Sequence, residues 1–488
     1  MIRTRIYAGL FTVVFAAAVP AAAEPSREVA LDAMFRASEF MMDEVSFRGG
    51  FVDKYTEDLS ERWGEVPARR SMIWIQDPGT VTVGSFFLDA YRRTGEPVFL
   101  EHCKRVANAV VYGQLPCGGW HYFFDFDPEG TEQWYEGVLS KAWGWEEFYH
   151  WSGNATFDDD TTAGATRFLL DLYTTTLDPE YRPPLERALN FVLESQYPLG
   201  GWPQRYPLNY EHGVEGRPDY TSYYTFNDNV IAGNIQLLLD AYEKMGDARY
   251  HDAALRGMFF VQLAQLGTPQ AGWAQQYAMD LKPAQARNFE PASLSPSETV
   301  GCIQNLMRYY GYTGDRRFLR GIPDAIEWLD RERLPKGHSE NHTHAQFVEA
   351  GTGKPLYAHR EGTDIDHGRY WVDYEPKDFP GHYGMQTNID VDALRKEYER
   401  VNALSPEEAM TEYREAKNSA SLWPDVSTEA VEEVIARMDE RGAWVEDLEV
   451  VDYTDWKFKP RRAFRGISTR TFVRNMETLL AYVAPFSE

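Results

Sequence analysis

VGSFFLDAYRRTGEPVFLEHCKRVANAVVYGQLPCGGW, residues 83–120, is the stretch from which the fold is read. It reads as a helix, a short Gly-containing turn, a second helix and a closing Gly-Trp turn. The pattern returns at 165–202 (ATRFLLDLY to PLGGW), at 232–273 (AGNIQLLLDAY to PQAGW) and at 301–334 (GCIQNLMRYY to RERL), where the closing Gly-Trp is missing. Phe168, Leu169, Leu172 and Tyr173 share one helical face; Leu185, Leu189, Val192 and Leu193 share one face of the next helix. A hairpin with one apolar face cannot bury it alone, so the copies stack. Constant rotation between copies gives an open solenoid or a closed ring. Long insertions after the second helices favour the ring, because loops gathered at one end build a cleft.

The expected fold is therefore all-α, an (α/α) toroid of helical hairpins. A helix over 27–44 leads to Gly49-Gly50-Phe51, a degenerate copy, and TRTFVRNMETLLAYV (469–483) is a further amphipathic helix. Residues 338–382 read as long functional loops. Residues 411–458 read as a charged, partly helical peripheral cap. The expected organisation is a signal peptide over 1–23 and one catalytic toroid over 24–488. Its motif-bearing core lies at about 158–400, and its C-terminal helical cap at about 405–488.

Residues 1–23 carry the leader signal. Arg3 and Arg5 precede a short apolar run, and Ala21-Ala22-Ala23 offers small residues for cleavage. The run is short for a membrane span, so an exported, periplasmic or secreted chain is expected, with no membrane partner. Three cysteines (Cys103, Cys117 and Cys302) allow at most one internal pair, and neither CxxC nor HExxH occurs. A net charge of -26 lacks the basic footprint that nucleic acid requires. An acidic ligand stays compatible if a divalent cation or an arginine cluster sets the local field.

Four blocks carry chemistry: GGWPQRYP (200–207), TFNDN (225–229), LKPAQARNFEPASLSPSET (281–299) and PLYAHREG (355–362). In this order they resemble the pectate lyases of polysaccharide lyase family 10, over roughly 158–400. Glu361 stands where the family's Arg-Asp-Gly turn has aspartate, and the tyrosine after the family's catalytic arginine is missing. The resemblance implies an α/α toroid, a calcium cofactor and anti β-elimination on polygalacturonate; a monomer acting on an acidic polysaccharide is expected. It maps the metal-binding carboxylates to Asp158 and Asp228, the catalytic arginine to Arg287 and the substrate clamp to Arg360. Trp202, Gln204, Tyr206 and Asn227 join the substrate contacts. Asp159 and Asp160 adjoin Asp158, so the metal register stays open by a residue.

These residue types suit the reaction. Elimination removes the proton on C5, beside the uronate carboxylate, and a second negative charge develops there. A hard cation and guanidinium groups stabilise charge where it appears. Calcium takes oxygen ligands, which Asp158, Asp228 and the amide of Asn227 or Asn229 offer. Arg360 can hold a carboxylate through two parallel hydrogen bonds. An arginine is an unusual base, since it stays protonated in proteins. Arg287 is thus read as base or as charge stabiliser, with Tyr206, Tyr224, His359 and Lys282 as alternative bases.

Structural readings compete. Asp228 could be a helix N-cap, Asp158 to Asp160 an acidic turn, Trp202 a core residue like Trp120 and Trp273, and the two arginines surface ion-pair residues. The functional alternatives are a lyase of another uronate polymer (glucuronan, ulvan or alginate-like), a glycoside hydrolase on the same architecture, and a non-catalytic sugar-binding protein.

Overall fold

The Gly-Trp turns close their hairpins in one way. Trp120, Trp202 and Trp273 are fully buried, and their indole N–H groups donate to the carbonyls of Val110, Val192 and Val261 at 2.7, 2.8 and 2.7 Å. In the computed structural model the described residues are 25–127, 129–139, 151–208, 219–335, 338–361, 369–379, 383–419, 426–451 and 461–484. The segment read as a leader lies outside them. Among the described residues no helix is long and apolar enough to cross a membrane.

The principal helices are α1 (Arg27–Phe40), α2 (Thr80–Thr94), α3 (Pro97–Tyr112), α4 (Thr161–Thr176), α5 (Arg182–Glu194), α6 (Val230–Met245), α7 (Ala248–Leu263), α8 (Pro296–Thr313) and α9 (Ile322–Arg331). They continue with α10 (Val391–Ala403), α11 (Pro406–Ser419), α12 (Thr428–Ala436) and α13 (Thr469–Val483). Pairs α2/α3, α4/α5, α6/α7 and α8/α9 are the four repeats expected from sequence. Their first helices pack side by side, α13 on α2, α2 on α4 and α4 on α6, and α11 packs on α8.

The glycine of each turn is required by a close approach. Gly118 (φ 107°) and Gly200 (φ 108°) sit against the next hairpin's second helix, where a Cβ would stand 2.6 Å from Arg187 O and 2.3 Å from Arg256 O. Gly49 makes the same contact with Arg105 O, so Gly49-Gly50-Phe51 is a genuine copy of the turn.

The C-terminal region departs from its reading as a peripheral cap. Arg441-Gly442-Ala443-Trp444 is another Gly-Trp turn, with the Trp444 indole donating to Val434 O at 2.8 Å and Gly442 seated on Arg36 O of α1. Helix α13 packs between α1 and α2. Arg27 Nε donates to Val483 O at 2.7 Å, and Tyr482 Oη donates to Pro25 O at 2.8 Å. Strand Arg461–Ser468 pairs antiparallel with Lys54–Thr56. The two ends of the chain therefore close an α/α toroid, and the last segment is part of the ring. Its turn escaped the sequence reading because it lacks the second glycine and a long first helix of the same pattern.

Candidate active site

The N-terminal ends of α4 and α6 bring the chemistry to one mouth of the ring. Each is preceded by a two-residue left-handed step, Asp159-Asp160 (φ 49° and 57°) before α4 and Asp228-Asn229 (φ 53° and 62°) before α6. Asp and Asn tolerate this conformation better than other non-glycine residues. The steps are equivalent, so Asp158 corresponds to Asn227 and Asp159 to Asp228. Neither Asp160 nor Asn229 caps its helix with its side chain, and Asp228 is not the cap of α6. The capping alternative for Asp228 therefore fails. Threonine hydroxyls tie helix starts to neighbouring turns: Thr162 and Thr299 accept from the backbone N–H of Trp120 and Trp273, each at 3.0 Å.

Despite the one-residue offset, Asp158 and Asp228 meet side chain to side chain. Asp158 is buried, and its Oδ2 accepts from Gln204 Nε2 at 3.1 Å, from Arg287 Nη2 at 3.1 Å and, in a short bond, from Tyr122 Oη. Its Oδ1 is buried with no hydrogen-bond donor among the described residues. Asn227 Nδ2 donates to Asp228 Oδ2 at 2.7 Å, and Gln276 Nε2 holds Asn227 Oδ1 at 3.3 Å.

Arg287 is 5% exposed, and it reaches this pair from the loop before α8. Its Nη1 lies 3.3 Å from Glu290 Oε1 and 3.9 Å from Asp228 Oδ2. One guanidinium thus serves three carboxyl groups. Neither arginine is a surface ion-pair residue, since Arg360 is only 6% exposed.

Charge coupling follows from this crowding. Burial alone would raise the Asp158 carboxyl, but Arg287 and the hydrogen bonds on it hold it below the ordinary carboxylate range. Desolvation, and then the adjacent charge of Asp158, drives Asp228 well above that range. Glu65 is exposed to solvent at one side; the protein around it and the charges of Asp159 and Asp158 raise its carboxyl above the ordinary range. It is reached through Gln76, whose Nε2 donates to Asp159 Oδ2 at 2.6 Å and to Glu65 Oε1 at 3.3 Å.

Two touching carboxyls with a donor-free buried oxygen need a shared proton or a cation, and all-oxygen donors suit a hard dication such as calcium. Among the described residues no three His, Cys, Asp or Glu side chains gather as a metal cluster. The protein would therefore supply a partial shell, leaving positions for water and a substrate carboxylate. The pair fits the cofactor on that footing.

Other sequence-nominated residues fall into two groups. Gln204 and Asn227 are buried and contact substrate-independent partners, the carboxyls of Asp158 and Asp228. Trp202 has no exposed face, so the expectation that it touches substrate is corrected: it is a core residue of its turn. Tyr206 is half-buried and packs edge-on against Phe191, with ring centroids 5.8 Å apart. Arg360 lies on the strand Pro355–Glu361, opposite Tyr370, with its guanidinium 5.4 Å from that ring. Tyr370 packs on Phe289, two residues from Arg287, so Arg360 flanks the site through an aromatic layer.

The alternative bases stand elsewhere. His359 is on the opposite face of the Arg360 strand, stacked on Trp371 and bonded to Asp373 at 2.8 Å. Lys282 pairs with Asp280 at 2.6 Å on the surface, and Tyr224 is buried on Phe260. Sequence reasoning missed Tyr122, Gln76, Glu65, Glu290 and Tyr383, the last of which accepts from Gln275 at 2.9 Å. For Tyr122 a signal existed: it stands two residues after Trp120, as Gln204 stands two after Trp202 and Gln275 two after Trp273.

A protein-family model described as pectic acid lyase matches residues 130–400, more than half of the chain. Among solved structures, a family 10 polysaccharide lyase from Cellvibrio cellulosa is 20% identical, with 66% of this chain and 98% of that chain covered and a TM-score of 0.44. A mutant of that lyase in complex with trigalaturonic acid gives the same figures, 20% identity, 66% and 98% coverage and a TM-score of 0.44. A D-mannose isomerase is 12% identical, with 94% and 98% covered and a TM-score of 0.44. No curated protein matches the chain.

Proposed function

The chain belongs to the pectic acid lyase family, and on that premise we propose that it is an exported pectate lyase, cleaving polygalacturonate by calcium-assisted anti β-elimination. That it is a polysaccharide lyase follows from the family; the polymer, the cation and the stereochemistry are the proposal. The observation that carries it is the Arg287 guanidinium lying against both Asp158 and Asp228 at the mouth of the toroid.

Asp158 and Asp228 would hold the cation, with the Asn227 amide steadying Asp228. Bound calcium would neutralise a substrate carboxylate and so acidify the neighbouring C5–H. Arg287 would supply guanidinium N–H donors to the dianion that develops as the C5 proton passes to a solvent base, which the one-third exposure of the Asp228 side chain admits; the electron pair then forms the C4–C5 double bond and expels the O4 oxygen, which takes a proton from water. In the arrangement described, this guanidinium donates to carboxylates, which supports charge stabilisation as its first role. Acting as base would require it to enter the reaction neutral. Arg360 would grip a second uronate carboxylate, with Tyr370 limiting the freedom of its guanidinium.

Hydrolysis is disfavoured for these residues. Glycosidase carboxyl pairs stand about 5 to 9.5 Å apart across the sugar, whereas Asp158 and Asp228 touch. The test is a panel of uronate polymers assayed for unsaturated products with and without chelator. Unsaturated ends from pectate, dependent on calcium, are expected. Activity confined to glucuronan, ulvan or alginate would overturn the choice of polymer.

A further inference from the structure

Tyr122 lies outside the family-matched span, yet its hydroxyl donates to Asp158 Oδ2 in the centre of the site. Its placement is built in. Strands Met72–Trp74 and Phe123–Asp125 pair with Trp74 opposite Phe123, and the ladder runs on as Ile75 N and Gln76 N donate to Tyr122 O at 2.7 and 3.3 Å. Gln76 and Tyr122 therefore sit side by side, and they donate to the consecutive carboxylates Asp159 and Asp158. The ring of Tyr122 is 4% exposed and carries the Arg205 guanidinium over it at 5.6 Å, so the phenol cannot swing away.

The repeat explains the pairing. Tyr122 and Gln204 occupy the same step after successive Gly-Trp turns, one on each side of Asp158, and both donate to the same oxygen. With Arg287 as the third donor, Oδ2 is saturated while Oδ1 stays donor-free. An aspartate carboxylate can turn about χ2; three donors converging on one oxygen fix its plane, and so the direction in which the other oxygen points.

We propose that Tyr122 is a positioning residue that locks the Asp158 carboxylate with Oδ1 turned to the cation-binding side. The inference rests on the calcium reading for its consequence, though not for the geometry. Groups that orient a metal's ligands commonly change affinity about tenfold to a hundredfold when removed. The flank before residue 130 is then part of the active site, and the family-matched span alone is incomplete.

Tyr122→Phe keeps the ring, its packing and the Arg205 contact, and deletes only the hydroxyl. The experiment compares wild type and Tyr122→Phe by calcium titration calorimetry, by melting of the metal-free proteins, and by crystal structures of both. Weaker calcium binding by about tenfold or more, an unchanged metal-free melting temperature and an Asp158 carboxylate rotated or split between orientations are expected. An unmoved carboxylate overturns the proposal, and so does a rotated carboxylate with unchanged calcium affinity. If wild type itself binds no calcium, the cofactor reading fails, and the carboxylate's orientation in Tyr122→Phe still decides the positioning role.

Discussion

Arg287 Nη2 lies 3.1 Å from Asp158 Oδ2 while Nη1 lies 3.9 Å from Asp228 Oδ2, so one guanidinium spans a pair of touching carboxyls. The arrangement ties the stability of the site to its chemistry. Removing the guanidinium takes the cation away from the buried carboxyls of Asp158 and Glu290, and breaking a buried ion pair costs about 3–5 kcal/mol.

Arg287→Lys tests geometry against charge. A lysine keeps the positive charge but loses the planar fork. Turnover should fall by about 10² to 10³, the range seen when one donor to a developing oxyanion is lost, with little change in KM. Arg360→Ala should raise KM as well as lower turnover, because it removes ground-state grip. Steady-state kinetics on pectate checks both; near-normal turnover in Arg287→Lys would contradict the assignment.

Asp228→Asn separates metal binding from folding. Asparagine accepts the left-handed backbone at this position, whereas alanine there would add a strain of about 1–2 kcal/mol. The variant should lose activity and calcium binding. Its metal-free melting temperature should hold or rise, since the repulsion with Asp158 is gone and no helix cap is lost. A marked drop in metal-free stability would argue for a structural role.

Stability should depend on pH in a defined direction. Asp228 is raised on folding, so the stability it contributes is present at low pH, where it is protonated, and is lost as pH rises through its folded value. Asp158, lowered on folding, acts oppositely and matters only as pH falls below the ordinary 3.8. The metal-free protein should therefore lose melting temperature as pH rises above the ordinary carboxylate range, and calcium should restore it. At 100 times its dissociation constant, a ligand adds about 2.7 kcal/mol. Melting curves across pH, with calcium and with chelator, read this directly.

Ring closure predicts how the chain tolerates cutting. We expect 24–488 to behave as one folding unit, because α13 and the Trp444 turn both seat on the N-terminal helix α1. Deleting the residues after 419 should give insoluble or unfolded protein. Gly442→Ala should also destabilise, since its φ is 93° and a Cβ would lie 2.5 Å from Arg36 O. A soluble, cooperatively melting truncation would contradict the single unit.

The repeats were legible because an amphipathic hairpin ending in Gly-Trp leaves a local signature. The copy at Gly442-Ala443-Trp444 was hidden by its altered turn and by the charged residues around it. The motif residues Asp158, Asp228 and Arg287 were legible as types, and the structure brings them into one contact group. What the sequence could not convey was direction. Trp202 points into the core, His359 points away from Arg360 because strand neighbours alternate faces, and Tyr122 and Gln76 reach the site across hairpins far apart in the chain. The placement of Tyr122 and Gln76 depends on the ladder between residues 72–74 and 123–125, which no local pattern announces.

Ultraviolet absorbance during digestion of polygalacturonate, read beside total reducing ends, separates calcium-dependent elimination from hydrolysis. An unsaturated uronide absorbs, and a hydrolysis product does not. Absorbance is expected to rise in step with reducing ends in the presence of calcium, to stop on chelation and to resume when calcium is returned. Reducing ends that accumulate without absorbance, or elimination that proceeds undiminished in excess chelator, would contradict it.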